Sequence, residues 1–352
     1  MRKNSAGESP GTLSGRTADC WKIKISVSLS EKCECNFRLK MWLLTLLLTA
    51  PSWSLIFAQN AEIVNSCKQY KKDIFEEKVA YSFLFPNAPI RYEIVDSCRQ
   101  YTPLIVGGQP ANPKEFPNTA RLGHRNPQQG NIEWFCGGTL ISKYFVLTAA
   151  HCFESDQGEV NIVRLGDLDF GTDQEDASPR DYAVKDYFVH QNFTSPELYN
   201  DIGLIKLAEP VQFDSYKHPA CLPFENGENI GSFIAVGWGS NSLAGRSSTK
   251  LLKVKLDRFA DEVCRRVIET SADYPKGYDN DSQMCVGSSR PMDTCSGDSG
   301  GPILVYHQDY PCMYHVMGIT SAGIACGTPN IPSIYTRVHF YLDWIKQTMS
   351  NN

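Results

Sequence analysis

The chain is 352 residues long, carries a formal net charge of −5 and contains 13 cysteines. No long basic run interrupts that mildly acidic balance, which argues against partners held by phosphate contacts, nucleic acid and anionic membrane surfaces alike. The length allows two or three domains, although an all-β barrel protein of roughly 200 to 250 residues is often a single one.

In chain order, residues 1–40 precede an apolar run from Met41 to Ala58 that is flanked by Arg38 and Lys40 and ends on a small residue before Gln59. Such a run fits a secretory signal or, left uncleaved, a membrane anchor interrupted at Pro51. Three cysteines (Cys20, Cys33, Cys35) lie before it and ten, from Cys67 to Cys326, lie after it. An even set beyond the apolar run is what an oxidising compartment would pair. The expectation is a signal at 41–58, a secreted, extracellular protein after it, and a dispensable upstream extension or cytosolic tail at 1–40. A signal-anchored protein is the alternative.

Residues 59–104 mix aromatic, charged and apolar side chains without a sustained period. They hold a near-repeat, Glu62-Ile-Val-Asn-Ser-Cys67-Lys-Gln-Tyr70 against Glu93-Ile-Val-Asp-Ser-Cys98-Arg-Gln-Tyr101, which reads as a local duplication because two copies make no repeat fold. Each copy supplies one cysteine by which the segment can be tied to the rest of the protein.

The texture changes at Pro103-Leu104-Ile105-Val106-Gly107-Gly108. Short β-branched and apolar runs follow, Thr139 to Val146, Val160 to Leu165, Ile202 to Leu207, Phe233 to Trp238 and Pro302 to Tyr306, separated by Gly, Pro, Asn and Asp. This pattern predicts an all-β sandwich or barrel. Only Phe259 to Thr270 and the tail Phe340 to Met349 read as helical, the tail because Tyr341, Trp344, Ile345 and Met349 recur at helix spacing.

Four stretches carry chemistry. In Cys295-Ser-Gly-Asp-Ser299-Gly-Gly-Pro302 a serine sits in a turn rich in glycine, the residue used where backbone is strained or must approach a ligand. There the N–H groups of Gly297 and Ser299 can converge on a developing oxyanion. In Leu147-Thr-Ala-Ala-His151-Cys152 a histidine follows an apolar strand beside a cysteine that can lock it in place, a setting the six other histidines lack. Asp201 opens the apolar strand Ile202 to Leu207, a position otherwise typical of a turn or cap residue, and Phe233 to Gly239 is a buried strand running into a glycine-flanked turn.

Ile105-Val-Gly-Gly108, Thr148-Ala-Ala-His-Cys152, Asp201-Ile-Gly-Leu204, Gly237-Trp-Gly239 and Gly297-Asp-Ser-Gly-Gly-Pro302, in this order, resemble the trypsin/chymotrypsin-type serine proteases from Ile105 to the C-terminus. The resemblance implies two six-stranded antiparallel β-barrels with a C-terminal helix, and an active site between the barrels. It implies His151 as general base and acid, Asp201 as its orienting partner, Ser299 as nucleophile and the N–H groups of Gly297 and Ser299 as oxyanion hole. The chemistry needs this set independently, because a serine hydroxyl is a poor nucleophile unless a correctly held base takes its proton. No metal or organic cofactor is required.

The resemblance also implies a zymogen. Residues 59–104 would be a disulfide-tethered activation peptide and 105–352 the catalytic domain, with cleavage after Leu104 freeing the Ile105 amine to pair with Asp298. Asp293, with Gly323 and Ser333 on the wall, would form a pocket for Arg or Lys. Ser333 stands where glycine is usual and Ala322 where tryptophan is usual, which leaves a narrowed or altered pocket as the alternative. The implied disulfides are Cys136–Cys152, Cys264–Cys285, Cys295–Cys326 and Cys98–Cys221, with Cys67 and Cys312 left to pair. Tyr310-Pro-Cys-Met-Tyr314 and the tethered prosegment resemble the snake-like, clip-domain proteases of arthropod haemolymph cascades, although only Cys67 and Cys98 stand where a clip domain needs six cysteines. The implied partners are a downstream zymogen as substrate, an upstream activating protease, since Leu104 is a poor site for a trypsin-like enzyme, and a serpin-type inhibitor. Asp167, Asp169, Asp173 and Asp176 lie near a loop that binds Ca²⁺ in many relatives; a solvated acidic loop is the other reading. Asn192 and Asn280 open N-glycan sequons. A non-catalytic homologue acting as a binding cofactor is the rival class, and a digestive trypsin a third reading.

Overall fold

The computed structural model describes residues 63–71, 75–80, 91–96, 108–172, 174–240, 247–268, 270–291, 293–308, 313–323 and 327–352, all within one compact unit, Ala58–Asn352. A short helix, α1, covers residues 63–71. Strands β1 (Phe75–Ala80) and β2 (Arg91–Asp96) pair antiparallel as a separate ribbon. Strand β3 (Gln109–Pro110) then leads into the first barrel.

That barrel consists of β4 (Thr119–Arg125), β5 (Ile132–Leu140), β6 (Phe145–Thr148), β7 (Ile162–Leu165), β8 (Arg180–Val189) and β9 (Gly203–Leu207). The order β4-β5-β6-β9-β8-β7 closes through pairing of β4 with β7. The second barrel is formed by β10 (Ser232–Gly237), β11 (Leu252–Arg258), β12 (Gln283–Gly287), β13 (Pro302–Tyr306), β14 (Tyr314–Ala322) and β15 (Ser333–Arg337). Its order β10-β13-β14-β15-β12-β11 closes through β10 with β11, and β3 adds to β11 from outside. Closure removes the unpaired edges that short apolar strands would otherwise expose. Leu122, Leu140, Leu147, Leu165, Ile205 and Leu207 fill the first interior, and Phe233, Leu256, Val286, Ile303 and Tyr335 the second. Burial of such side chains is worth about 1.5–3 kcal/mol each. Two helices complete the unit: α2 (Asp261–Val267) and, after a 3₁₀ turn at Val338–Tyr341, the C-terminal α3 (Leu342–Asn351).

The run Thr139 to Val146 is two strands, not one. Ser142 Oγ accepts the N–H groups of Tyr144 and Phe145 at 3.3 and 3.1 Å and folds the chain into a hairpin between β5 and β6. The helix read from Phe259 to Thr270 contracts to α2, because Ala260 is extended and Ile268 ends it.

One disulfide expectation is corrected. Cys221 bonds Cys67, with Cα atoms 5.3 Å apart, and not Cys98, which also removes the pairing of Cys67 with Cys312. The cause lies in α1, where Ile63 and Cys67 are both buried one turn apart and Tyr70, on the same face, donates to the Ile141 carbonyl at 3.1 Å and packs edge-on against Phe213. Cys136–Cys152 and Cys264–Cys285 are formed. Cys295 is disulfide-bonded as well; Cys98, Cys312 and Cys326, like Leu104 and Ile105, lie outside the described residues.

Candidate active site

Strand β6 runs directly into a 3₁₀ turn, Ala150–Glu154, that carries His151. The Cys136–Cys152 bridge ties this turn back to β5. Asp201, fully buried at the start of β9, accepts His151 Nδ1 at 2.7 Å on Oδ2 and the His151 backbone N–H at 2.9 Å on Oδ1. Ser321 Oγ donates to the same Oδ2 at 2.5 Å, and Thr336 Oγ1 donates to the Asp201 carbonyl at 2.8 Å. Burial alone would push the Asp201 carboxyl up; the His151 charge and hydrogen bonds, with Ser321, overcome it and hold the group below the ordinary carboxylate range. For His151 burial pulls the other way, and Asp201 prevails to raise the imidazole above its usual value. An ionised Asp201 requires the hydrogen on Nδ1, which leaves Nε2 with a free lone pair.

Ser299 occupies the turn that enters β13. Gly297 and Gly300 have φ of 98° and 77°, where a side chain would be strained. Space is equally restrictive at Gly300: a Cβ there would overlap Thr148 Oγ1 and lie 2.6 Å from the Gly137 carbonyl oxygen and 3.0 Å from Cys152 Sγ. The turn is thus pressed against the part of the first barrel that carries His151. The Gly137 N–H donates to the Ser299 carbonyl at 2.7 Å, and Gly300 N–H to the Thr320 carbonyl at 2.8 Å. Among the described residues the Ser299 hydroxyl and the N–H groups of Gly297 and Ser299 have no hydrogen-bond partner. Two donors and a hydroxyl without a partner among the described residues therefore lie within three residues of one turn.

Asp298, next in the turn, is buried and accepts Gly239 N–H at 2.7 Å and Cys295 N–H at 3.0 Å. A Cβ at Gly237 or Gly239 would overlap its carboxylate, which accounts for both glycines around Trp238. Burial pushes Asp298 up to about 6, opposed by those two N–H groups and by the charge of Arg121. The Arg121 guanidinium lies 4.6 Å from the Phe170 ring centre and 5.7 Å from that of Trp238. Asp293 accepts Ser333 Oγ at 2.6 Å and Thr294 N–H at 2.8 Å, and burial pushes it too up to about 6. A Cβ on Gly323 would touch Ser333 Oγ at 3.7 Å, an ordinary van der Waals contact, so Gly323 stands directly against Ser333.

A family model for trypsin matches residues 105–345. The chain belongs to the trypsin family of serine proteases. Serine protease snk of Drosophila melanogaster is 38% identical over 249 residues, 70% of this chain and 57% of that protein. Phenoloxidase-activating factor 3 of Holotrichia diomphalia is 35% identical over 70% of this chain and 72% of its own length. CLIP domain-containing serine protease B4 of Anopheles gambiae is 37% identical over 70% of this chain and 71% of its own. The matched part thus spans little more than half of the first relative.

Within this trypsin-family domain, sequence reasoning missed Ser321, Thr336 and Thr320. The one available signal was a Thr-Ser pair closing an otherwise apolar strand. The acidic loop does not fit Ca²⁺, which takes six to eight oxygens. Asp167 pairs with Arg164 at 3.3 Å, and Arg164 also binds Asp181 at 2.6 Å, so both carboxylates already have a cationic partner. Asp169 Oδ1 accepts Gly171 N–H at 2.9 Å, Asp176 pairs with Lys114 at 3.2 Å, and Asp173 lies outside the described residues. The other triads of potential ligands among the described residues, Cys67, Cys221 and His307 and Cys136, His151 and Cys152, contain cysteines already spent in disulfides. Of the sequons, Asn192 and Thr194 are both exposed, whereas Ser282 is buried with its hydroxyl on Asp279 at 2.6 Å. No helix among the described residues is long and apolar enough to cross a membrane.

Proposed function

We propose that the protein is the secreted zymogen of a serine endopeptidase that cuts after basic residues in a downstream zymogen of an extracellular cascade. The observation that carries the reading is the Asp201–His151 pair, 2.7 Å apart, beside a serine turn whose hydroxyl and two N–H groups have no partner among the described residues. In this reading His151 Nε2 takes the Ser299 proton as Oγ attacks the scissile carbonyl carbon. The oxyanion so formed is bound by the N–H groups of Gly297 and Ser299, each such donor worth about 10²–10³ in rate. Asp201 stabilises the imidazolium, which returns its proton to the leaving amine. Water then repeats the sequence on the acyl-enzyme, and the acid and free Ser299 are released.

Cleavage after Leu104 supplies the switch. It converts the amide nitrogen of Ile105 into an ammonium that pairs with Asp298 in its cradle, and a new charge at a fixed place is a sufficient local trigger. The names of the relatives, a phenoloxidase-activating factor and a melanization protease among them, support a place in such a cascade, as does a leucine junction that a basic-specific enzyme would not cut for itself. The test is turnover of a peptide amide with a basic residue before the scissile bond by the chain cut between Leu104 and Ile105. Turnover that Ser299→Ala abolishes supports the reading; an inert cut chain supports the alternative of a non-catalytic homologue that acts by binding.

A further inference from the structure

We propose that Ser333 makes the pocket select lysine over arginine before the scissile bond, an inference that rests on Asp293 being the pocket acid. Both oxygens of that acid already carry a hydrogen bond, Oδ2 from the Ser333 hydroxyl at 2.6 Å and Oδ1 from the Thr294 N–H at 2.8 Å. Ser333 is not free to withdraw. It is 1% exposed, and as the first residue of β15 it pairs with Val286 of β12.

The two basic side chains meet this arrangement differently. A guanidinium binds a carboxylate best through two parallel N–H···O bonds along one edge, in a fixed fork that needs both oxygens at once. The serine methylene and hydroxyl stand beside Oδ2, so that edge is obstructed and the fork keeps one oxygen. An ammonium is a compact charge with three rotatable donors and needs no fork. Ser333 spends its only hydrogen on Asp293, which leaves its lone pairs as acceptors for a second ammonium N–H. The other hydroxyl next to the acid is committed elsewhere, since Thr294 Oγ1 is bonded to Tyr335 Oη at 2.6 Å. Lysine therefore gains an acceptor at the pocket floor where arginine loses one.

The experiment is kcat/KM of the cut full-length chain on two tripeptide amides that differ only in Lys or Arg before the scissile bond. One charge-assisted hydrogen bond corresponds to about tenfold, so the expected Lys:Arg ratio is about ten or more. Ser333→Gly frees the Oδ2 edge and should bring the ratio to one or below. Ser333→Ala keeps the methylene but removes the acceptor, and should lower turnover of the lysine substrate about tenfold while leaving the arginine substrate within about threefold. A wild-type ratio of one or less, or a ratio unmoved by both variants, overturns the proposal. Failure to cut either basic substrate while a fluorophosphonate still labels Ser299 overturns it together with the role of Asp293, and leaves the protease reading intact. Absence of labelling overturns both.

Discussion

Ser321 donates its hydroxyl to Asp201 Oδ2 at 2.5 Å from the position at which β14 slips register against β15, between Thr320 and Ala322. A bulge of this kind re-aims a side chain that regular pairing would point elsewhere. The residue before it, Thr320, exchanges backbone hydrogen bonds with Gly300 and Gly301 at 2.8 Å each. Two adjacent residues of one strand therefore hold the serine turn and the acid in common register. Ser321→Ala should leave a buried carboxylate short of one donor, costing about 1–3 kcal/mol of stability. It should also let the Asp201 carboxyl rise, since the hydroxyl is among the groups that hold it down. Urea unfolding measures the first effect, and the acid limb of kcat/KM should move to higher pH.

Acid should weaken the enzyme in two separable ways. Asp293, pushed up to about 6 by burial, becomes neutral as pH falls through that value and ceases to attract a cation. His151, held above its usual value, becomes an imidazolium that cannot accept the Ser299 proton. The first effect belongs to substrates with a basic residue before the scissile bond and the second to all. Between pH 8 and pH 5 the kcat/KM advantage of a lysine over a norleucine substrate should collapse, and the norleucine profile should report His151 by itself.

Asp298 is pushed up to about 6 in the uncut chain. The folded form thus keeps a proton that the unfolded chain surrenders near 3.8. The stability this confers is complete below the unfolded value and is lost as pH rises through about 6. Pairing with a new ammonium favours the charged carboxylate, so cutting at pH 6 should release protons from this site, measurable in weak buffer. Asp298→Asn should be cut normally after Leu104 yet gain no activity.

The tether offers a simple check. Because α1 is bonded through Cys67 to Cys221, the fragment ending at Leu104 should stay attached on non-reducing gels after the cut and separate on reduction, and Cys67→Ser should remove this one link. Cys98→Ser should leave the fragment attached. The same chains compared by unfolding should show Cys67→Ser destabilised by about 2–4 kcal/mol before the cut.

A chelator should change neither activity nor melting temperature, because Arg164 already neutralises Asp167 and Asp181. Arg164→Gln should lower the melting temperature, and added Ca²⁺ at millimolar concentration should restore little of it.

Much of this site is legible in the amino-acid sequence. His151, Asp201, Ser299 and the glycines near them stand in short strings whose residue types the chemistry itself demands. The β-barrel architecture follows from the spacing of short apolar runs and turn residues, and the resemblance of the ordered motifs makes it two barrels. What is not legible depends on residues far apart in the chain. Ser321 serves Asp201 through a bulge across 120 residues, and a bulge leaves no periodic mark. Cys67 reaches Cys221 because residues 63–71 are helical when docked, although the segment shows no sustained helical period of its own. Asp167 has the side chain of a cation ligand, but it is paired with Arg164, three residues earlier.

The most direct measurement of the central claim is reaction of the protein with a fluorophosphonate before and after cleavage between Leu104 and Ile105, with the labelled peptide mapped. Label should appear on Ser299 in the cut chain, much less in the uncut chain, and none when His151 is replaced by alanine. A cut chain that takes no label, or takes it at another residue, contradicts the claim.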